Sequence, residues 1–111
     1  MKPKPTDPGE YRVPASYERP VVANDSVGQP IQTWETVFSG MIAVRPLSAR
    51  EIYYAQSTRS ETTHRLALRY RPEVSSEGRF RLSNGRVFNL ASVLNTEERN
   101  AELVCLAIEA A

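Results

Sequence analysis

Side chains from His64 to Arg71 alternate strictly between two kinds. One parity holds His64, Leu66, Leu68 and Tyr70, and the other holds Arg65, Ala67, Arg69 and Arg71. A period of two is typical of a β-strand with one side buried and the other facing solvent. Because the backbone of such a strand needs partners in a sheet, this segment predicts a β fold for the chain.

Five other segments also favour strands, namely 13–22, 33–44, 79–83, 86–93 and 101–108. Pro14 and Pro20 confine the first of them to a sheet edge or split it. Gly40 predicts a bend or bulge in the second. The unbroken apolar run of the last segment favours a central position in the sheet.

Two of the connections have turn-forming sequences. The polar, turn-prone residues 24–30 predict a loop. Asn84-Gly85 predicts a two-residue hairpin turn in which both residues take positive φ. The second turn would join segments 79–83 and 86–93 as a hairpin.

One short helix is predicted at about residues 49–57, between two strand segments. Ser48 and Glu51 form a capping box, in which each side chain accepts a hydrogen bond from the other residue's backbone N–H. Leu47 and Ile52 take the positions of a hydrophobic staple, which fixes how the chain enters a helix. A single helix on a small β fold is a candidate docking element.

These patterns predict a mainly β fold, a small antiparallel β-barrel or β-sandwich of about five or six strands with one short α-helix. Residues 1–12 are expected to form a flexible, proline-rich arm. Residues 13–111 are expected to form a single domain, because a chain of 111 residues fits one hydrophobic core.

Composition and residue types give no support for catalysis, a metal or another cofactor. His64 and Cys105 are the only histidine and cysteine, and both fall on positions predicted to be buried. A thiol in an apolar strand has a raised pKa and is inert, so a Cys105–His64 dyad is disfavoured. No segment approaches the roughly 20 apolar residues of a membrane span, and residues 1–9 lack the apolar stretch expected of a secretion signal. We therefore expect no enzyme and no membrane association.

An arginine-rich stretch leaves nucleic-acid binding open as an alternative function. Residues 59–86 contain seven arginines and three glutamates, a local charge of +4, although the whole chain carries only +1. A sheet face of arginines could contact phosphates. The aromatic residues Tyr70, Phe80 and Phe88 take the opposite parity, so a base-stacking platform is missing. The arginines are instead expected to face solvent or acidic groups of a neighbouring subunit.

An ordered series of short motifs resembles the phage head-tail joining proteins, also called head-closure or stopper proteins of tailed bacteriophages. The motifs are Tyr17-Glu18-Arg19-Pro20, Asp25-Ser26-Val27-Gly28, Trp34-Glu35, Val44-Arg45-Pro46-Leu47-Ser48-Ala49-Arg50-Glu51, Thr63-His64-Arg65, Leu68-Arg69-Tyr70-Arg71-Pro72, Gly85-Arg86-Val87-Phe88-Asn89-Leu90 and Glu102-Leu103-Val104-Cys105. The resemblance covers roughly residues 15–108, and residues 13–111 would then be a β-barrel head-tail joining domain.

The resemblance implies a structural virion protein at the head–tail interface, made in the cytoplasm of the bacterial host. Its expected partners are copies of itself in a ring, commonly about twelve-fold in such proteins, and a portal or adaptor protein above. A tail-completion or tail-tube protein is expected below, and packaged DNA is expected to pass through the channel without sequence-specific contact. The ring would help to retain DNA and provide the platform for the tail, with no cofactor.

Two groups of residues are the candidates for these contacts. Subunit or adaptor contacts are expected at Asp25, Gly28, Arg50, Glu51, Tyr53, Tyr54 and Gln56. Adjacent tyrosines diverge by about 100° around a helix, so at least one of the two reaches the surface. A loop facing the channel is expected at Ser57, Thr58, Arg59, Ser60, Glu61 and Thr62.

Overall fold

Six strands make up most of the fold in a computed structural model that describes residues 8–50 and 62–110. They are β1 (Val13–Asn24), β2 (Pro30–Pro46), β3 (His64–Arg69), β4 (Arg79–Leu82), β5 (Val87–Asn95) and β6 (Glu102–Glu109). All neighbours pair antiparallel, and the sheet closes into a barrel in the order β1-β2-β3-β6-β5-β4. The predicted mainly β, antiparallel fold is confirmed, and of the two architectures considered the chain adopts the barrel.

Side chains from all six strands fill the barrel. The core residues of the strands are Ala15, Tyr17, Ile42, Leu66, Leu68, Phe80, Leu82, Phe88, Leu90, Leu103, Cys105 and Ala107. Tyr17 packs against Phe38 and Phe80, with ring centroids 5.5 and 5.3 Å away. Burial of each large apolar side chain stabilises the fold by about 1.5–3 kcal/mol. The alternation from residue 64 onward thus points its apolar parity inward, as predicted.

The irregularity in the β1–β2 ladder lies at Val37. Tyr17 is opposite Phe38 and Glu18 is opposite Thr36, which leaves Val37 without a partner across the ladder. This is the geometry of a bulge, which bends and twists a strand. The prediction of a bulge at Gly40 was wrong, because Gly40 lies in regular register.

The β1–β2 and β4–β5 hairpins close with the same kind of turn. Asp25 donates its N–H to the carbonyl of Gln29 at 2.9 Å, and Leu82 donates to Arg86 at 2.8 Å. In each turn the fourth residue is a glycine with positive φ, +82° at Gly28 and +92° at Gly85. These are three-residue loops with a glycine bulge rather than two-residue turns. The hairpin predicted at residues 84–85 is present, but it needs positive φ only at the glycine.

The connection between β2 and β3 is anchored where it leaves the barrel. Leu47 is buried, and its N–H donates to the carbonyl of Thr63 at 3.0 Å. Ala49 and Arg50 have helical backbone, in line with the predicted helix start. The rest of the predicted helix, residues 51–57, lies outside the described residues.

The last residues of the predicted arm contact the barrel. Pro8–Glu10 form a single 3₁₀ turn, and the carboxylate of Glu10 pairs with Arg45 on β2. Tyr11 donates its hydroxyl hydrogen to Glu102 at 2.8 Å, and the Arg69 guanidinium lies 5.3 Å from its ring centroid. The arm was predicted to be flexible over residues 1–12; residues 1–7 lie outside the described residues, and the flexibility stays a prediction.

Candidate assembly surfaces

The hairpin of β1 and β2 extends well beyond the barrel. β1 pairs with β4 only at residues 15–18, and β2 pairs with β3 only at residues 43–46. Residues 19–35, here called the ribbon, therefore form two strands that pair only with each other. At about 3.3 Å per residue, the ribbon is roughly 20 Å long. It accounts for the elongated shape of the molecule, 55 Å along its longest axis and 30 Å across.

Three large apolar side chains of the ribbon are exposed to solvent. Val22 and Val27 are 72% and 75% exposed, and Ile31 is 43% exposed. Val27 lies in the turn, and the other two lie on opposite strands. Isolated exposed apolar residues are common, but three on one projecting element indicate a contact surface. No pattern in the sequence singles them out as contact residues.

A buried ion pair fixes the base of the ribbon to the barrel. Arg79 on β4 donates from Nε to Glu18 Oε1 at 2.7 Å, and both side chains are largely buried. The Arg79 guanidinium also lies 4.0 Å from the ring centroid of Trp34 on the other ribbon strand. A cation–π contact of this kind contributes about 0.5–2 kcal/mol. One arginine therefore ties both strands of the ribbon to the neighbouring strand.

Asp25 and Gly28 shape the tip of the ribbon. Asp25 Oδ1 accepts hydrogen bonds from the N–H groups of Val27 at 2.9 Å and Gln29 at 2.8 Å. Gly28 supplies the positive φ that the turn requires, a conformation that costs other residues about 1 kcal/mol or more. The two predicted contact residues thus hold the turn in place and present Val27 to solvent.

The structure separates the predicted contact residues between the two ends of the barrel. Because β1 and β2 are antiparallel, the ribbon tip lies at the end where β1 finishes, and Pro46 lies at the opposite end. Arg50 follows Pro46 and is exposed. Glu51, Tyr53, Tyr54 and Gln56 lie outside the described residues. Asp25 and Gly28 therefore do not share one surface with Arg50.

Only one residue of the predicted channel-facing loop is described. Thr62 is buried, at 5% exposure, next to the backbone anchor between Leu47 and Thr63. Residues 57–61 lie outside the described residues. Thr62 therefore belongs to the attachment of this loop to the barrel.

Most of the described arginines of residues 59–86 contact groups of their own chain. Arg71 pairs with Glu73 at 2.9 Å, Arg79 and Arg81 flank Glu18 at 2.7 and 3.6 Å, and Arg86 pairs with Glu109 at 2.8 Å. The acidic partners of these arginines thus belong to the same chain. The arginines had been expected to face solvent or acidic groups of a neighbouring subunit. A guanidinium that already pairs with a carboxylate offers less attraction to phosphate. The alternative of an arginine-rich nucleic-acid-binding face loses support.

His64 and Cys105 both pack against residues of the barrel interior. Cys105 is completely buried, and burial raises the pKa of its thiol to about 12. His64 stacks edge-on against Phe88, with ring centroids 4.9 Å apart, and burial lowers its pKa. A thiol with this pKa has almost no thiolate at neutral pH and is a poor nucleophile. The geometry gives both residues a packing role.

Among the described residues, no three histidine, cysteine, aspartate or glutamate side chains form a cluster that could hold a metal ion. In the described part of the chain, no helix is long and apolar enough to cross a membrane.

The family model of the phage head completion proteins matches residues 6–110 of this chain. That match covers nearly the whole length. The chain belongs to the phage head completion protein family. The resemblance inferred from the ordered motifs is thereby confirmed, and the chain is a structural protein of the phage virion at the head–tail junction.

Comparison with solved structures supports the fold of this head completion protein independently. The solution structure of protein SF1141 from Shigella flexneri 2a covers 96% of this chain and 98% of its own, with a TM-score of 0.78. At 24% identity the likeness shows a shared fold. No curated protein matches the chain.

Proposed function

We propose that this head completion protein assembles as a ring beneath the portal and its adaptor. The ring closes the DNA-filled head and offers the platform to which the tail attaches. Family membership supports a role at the junction. The finer role rests on how the chain distributes its contact elements.

The observation that carries the proposal is the placement of contact elements at opposite ends of one rigid barrel. The ribbon tip with Val27 lies at one end, and the anchored connection from Leu47 to Thr63 leaves the other. A protein that joins a layer above to a layer below needs two such surfaces. Side-to-side contacts between barrels then generate a closed ring when the rotation between copies closes.

Its first partners are further copies of itself, commonly about twelve in such rings. The portal or adaptor protein binds on one side of the ring, and a tail-completion or tail-tube protein binds on the other. Asp25 and Gly28 serve one contact at the ribbon tip, and Arg50 serves another from the opposite end of the barrel. Glu51, Tyr53, Tyr54 and Gln56 follow Arg50 in the sequence and are assigned to the same contact. The placement of Asp25 and Pro46 at opposite ends of β1 and β2 supports this division.

Packaged DNA meets the residues of the connection without sequence-specific contact. Ser57-Thr58-Arg59-Ser60-Glu61, which lead to the buried Thr62, include one cation, one anion and small polar side chains. Such a composition suits a steric barrier more than tight phosphate binding. The protein needs no cofactor and performs no catalysis, and it is made in the cytoplasm of the bacterial host before it joins the virion.

Deletion of the gene in its phage tests the proposal. Without this protein, heads should fill with DNA, lose it again and fail to bind tails, and complementation with the wild-type chain should restore infectious particles. A triple variant, Arg50→Glu with Tyr53→Ala and Tyr54→Ala, should fold normally but restore few particles. Normal infectivity after deletion, with intact tailed virions, would contradict the proposal.

A further inference from the structure

The ribbon has two long strand edges with no partner strand. The outer edge of β1 is unpaired from residue 19 to 24, and the outer edge of β2 is unpaired from residue 30 to 42, among the residues that the structure describes. Unpaired backbone N–H and C=O groups along an edge are a template for pairing with another chain. Monomeric proteins usually block such edges.

The edge of β2 carries almost none of the usual protection. Lysine, proline and inward-pointing charges keep edge strands from pairing. Residues 31–42 contain no proline, lysine or arginine, and Glu35 is their only charged residue. The bulge at Val37 interrupts the edge once, close to the barrel. Residues 31–36 therefore offer an open edge with β-branched and aromatic side chains.

The hydrogen bonds of the turn show which backbone groups point outward. Asp25 and Gln29 form a hydrogen-bonded pair, and such pairs alternate with non-hydrogen-bonded pairs along an antiparallel ladder. The pair of Val22 and Gln32 is therefore of the second kind, with its N–H and C=O groups directed away from the ribbon. Pro20 and Pro30 occupy the same kind of position, so each removes one outward N–H from its edge. The outward N–H groups that remain for pairing belong to Val22 and Asn24 on β1 and to Gln32 and Trp34 on β2.

The charges of the ribbon favour a second copy of this chain as its occupant. Arg19, Asp25 and Glu35 are the only charged residues between positions 19 and 35, so the ribbon is a poor surface for nucleic acid or anionic lipid. Arg19 lies on β1 and Glu35 lies on β2, and they form an exposed pair at 2.9 Å within one chain. When the edges of two copies meet, the β1 cation of one lies beside the β2 anion of the next.

A second copy also satisfies both edges at once. A strand from a different protein would cover one edge and leave the other open. Rotation of identical ribbons around a common axis places β1 of each copy next to β2 of its neighbour, in antiparallel orientation. Head-to-tail contacts of this kind close into a ring, and a closed sheet has no remaining edge.

We propose that the β1 edge of each ribbon pairs with the β2 edge of the next copy, so that the ribbons form one continuous antiparallel sheet around the ring. This inference rests on the proposed ring assembly and names the contact that holds it. Val22 and Ile31 are then covered by neighbouring ribbons.

Blocking one outward N–H tests the pairing. Gln32→Pro removes an N–H that the ribbon itself does not use, whereas Gln32→Ala changes the same side chain and keeps the N–H. Both variants should fold, as judged by circular dichroism. In phage lacking the gene, Gln32→Ala should restore infectious particles, and Gln32→Pro should restore at least about tenfold fewer. Equal restoration by two folded variants would overturn the inference.

Charge reversal tests the same pairing without a change at position 32. It therefore applies even if Gln32→Pro does not fold. Arg19→Glu places like charges at every joint between identical copies, and so does Glu35→Arg. An equimolar mixture can alternate around the ring and make every joint complementary. Each variant alone should therefore assemble poorly, and the mixture should recover assembly. No recovery in the mixture would contradict the proposed pairing.

Cross-linking locates the edges directly. Val22→Cys and Gln32→Cys chains of different mass are mixed, bound to heads that lack the protein, and treated with a short bifunctional maleimide. The native Cys105 is buried and its thiol pKa is raised, so it should not react; wild-type chain treated with the same maleimide is the control. Cross-links should join one chain of each kind. Pairs of identical chains, or no cross-links in particles that carry tails, would refute the ribbon contact while leaving the proposed function in place.

Discussion

Gly78 has far less space for a side chain than Gly28, Gly40 or Gly85. It lies in the loop between β3 and β4, where the hydroxyl of the buried Tyr17 accepts a hydrogen bond from the Ser75 N–H at 2.9 Å. A Cβ atom at Gly78 would lie 2.2 Å from the Tyr17 hydroxyl oxygen. Tyr17 cannot retreat, because Phe38 and Phe80 enclose its ring.

We expect Gly78→Ala to lower the free energy of unfolding by roughly 2–4 kcal/mol, since it forces a core side chain to move. Urea denaturation measures the effect. Gly40→Ala is the matched control, because nothing lies within 4 Å of a Cβ there. Similar free energies of unfolding for the two variants would contradict the packing of this loop.

His64 should make stability depend on pH. Burial lowers its pKa from 6.5, Arg86 lowers it further, and Glu109 opposes both effects. Its Nδ1 lies 2.9 Å from Thr63 Oγ1, and its ring contacts Phe88. Below pH 6.5 the unfolded chain binds a proton at this residue more readily than the folded chain does.

The free energy of unfolding should therefore fall as the pH drops from 6.5 toward the lowered pKa of the folded protein. Glu109, whose pKa the Arg86 hydrogen bond lowers, adds a further loss only below about pH 4.5. Urea titrations of wild type and His64→Gln measure both. Removal of the histidine should flatten the first decline, and an unchanged slope would contradict this origin.

At the scale of single residues, the sequence predicts burial better than it predicts pairing. Cys105 and the inward parity of β3 follow from local alternation alone. The arginine contacts with Glu18, Glu73 and Glu109 do not, because most of them join strands whose register is set by the closed barrel. A charge count over residues 59–86 therefore suggested a basic face that ion pairs largely neutralise.

At the scale of elements, the ribbon is the feature that the sequence conceals. Strands with both sides exposed have no apolar alternation, so β2 was predicted to begin at Thr33, although it begins at Pro30. The available signal was the spacing of Asp25 and Gly28 between two β-branched stretches. That spacing fits a turn with a glycine bulge.

The ribbon turn should be sensitive to both residues that shape it. Asp25→Ala removes the acceptor of two backbone N–H groups, and Gly28→Ala forces a positive φ on a residue with a Cβ. Each should weaken the ribbon by about 1 kcal/mol. Hydrogen exchange at Ala23 and Ile31 should accelerate, while amides of β6 keep their protection.

Ser26→Ala is the control for the ribbon turn, because this variant retains both the acceptor at Asp25 and the glycine at position 28. It should leave exchange at Ala23 and Ile31 unchanged. If all three variants behave alike, the turn does not depend on the contacts described here.

At the scale of the whole molecule, the ion pairs predict weak interaction with free nucleic acid. With most described arginines of residues 59–86 already in contact with groups of the same chain, the protein should bind single-stranded oligonucleotides poorly even at low ionic strength. Fluorescence anisotropy over a salt series measures this. Tight binding that weakens steeply as salt rises would revive the nucleic-acid alternative.

The family and fold class could be inferred from ordered motifs and strand periodicity, because the motifs and the periodicity are local features of the sequence. The arrangement of contact surfaces could not. Asp25 and Arg50 are close in the sequence, yet the long β1–β2 hairpin places them at opposite ends of the barrel. Only the strand lengths and the closed topology reveal that separation.

The most direct test of the assembly is cryo-electron microscopy of the head–tail junction in virions that contain this protein. We predict a ring of β-barrels between the portal complex and the tail, with neighbouring ribbons in continuous density. A junction without barrels of this fold, or the protein located elsewhere in the particle, would contradict the account.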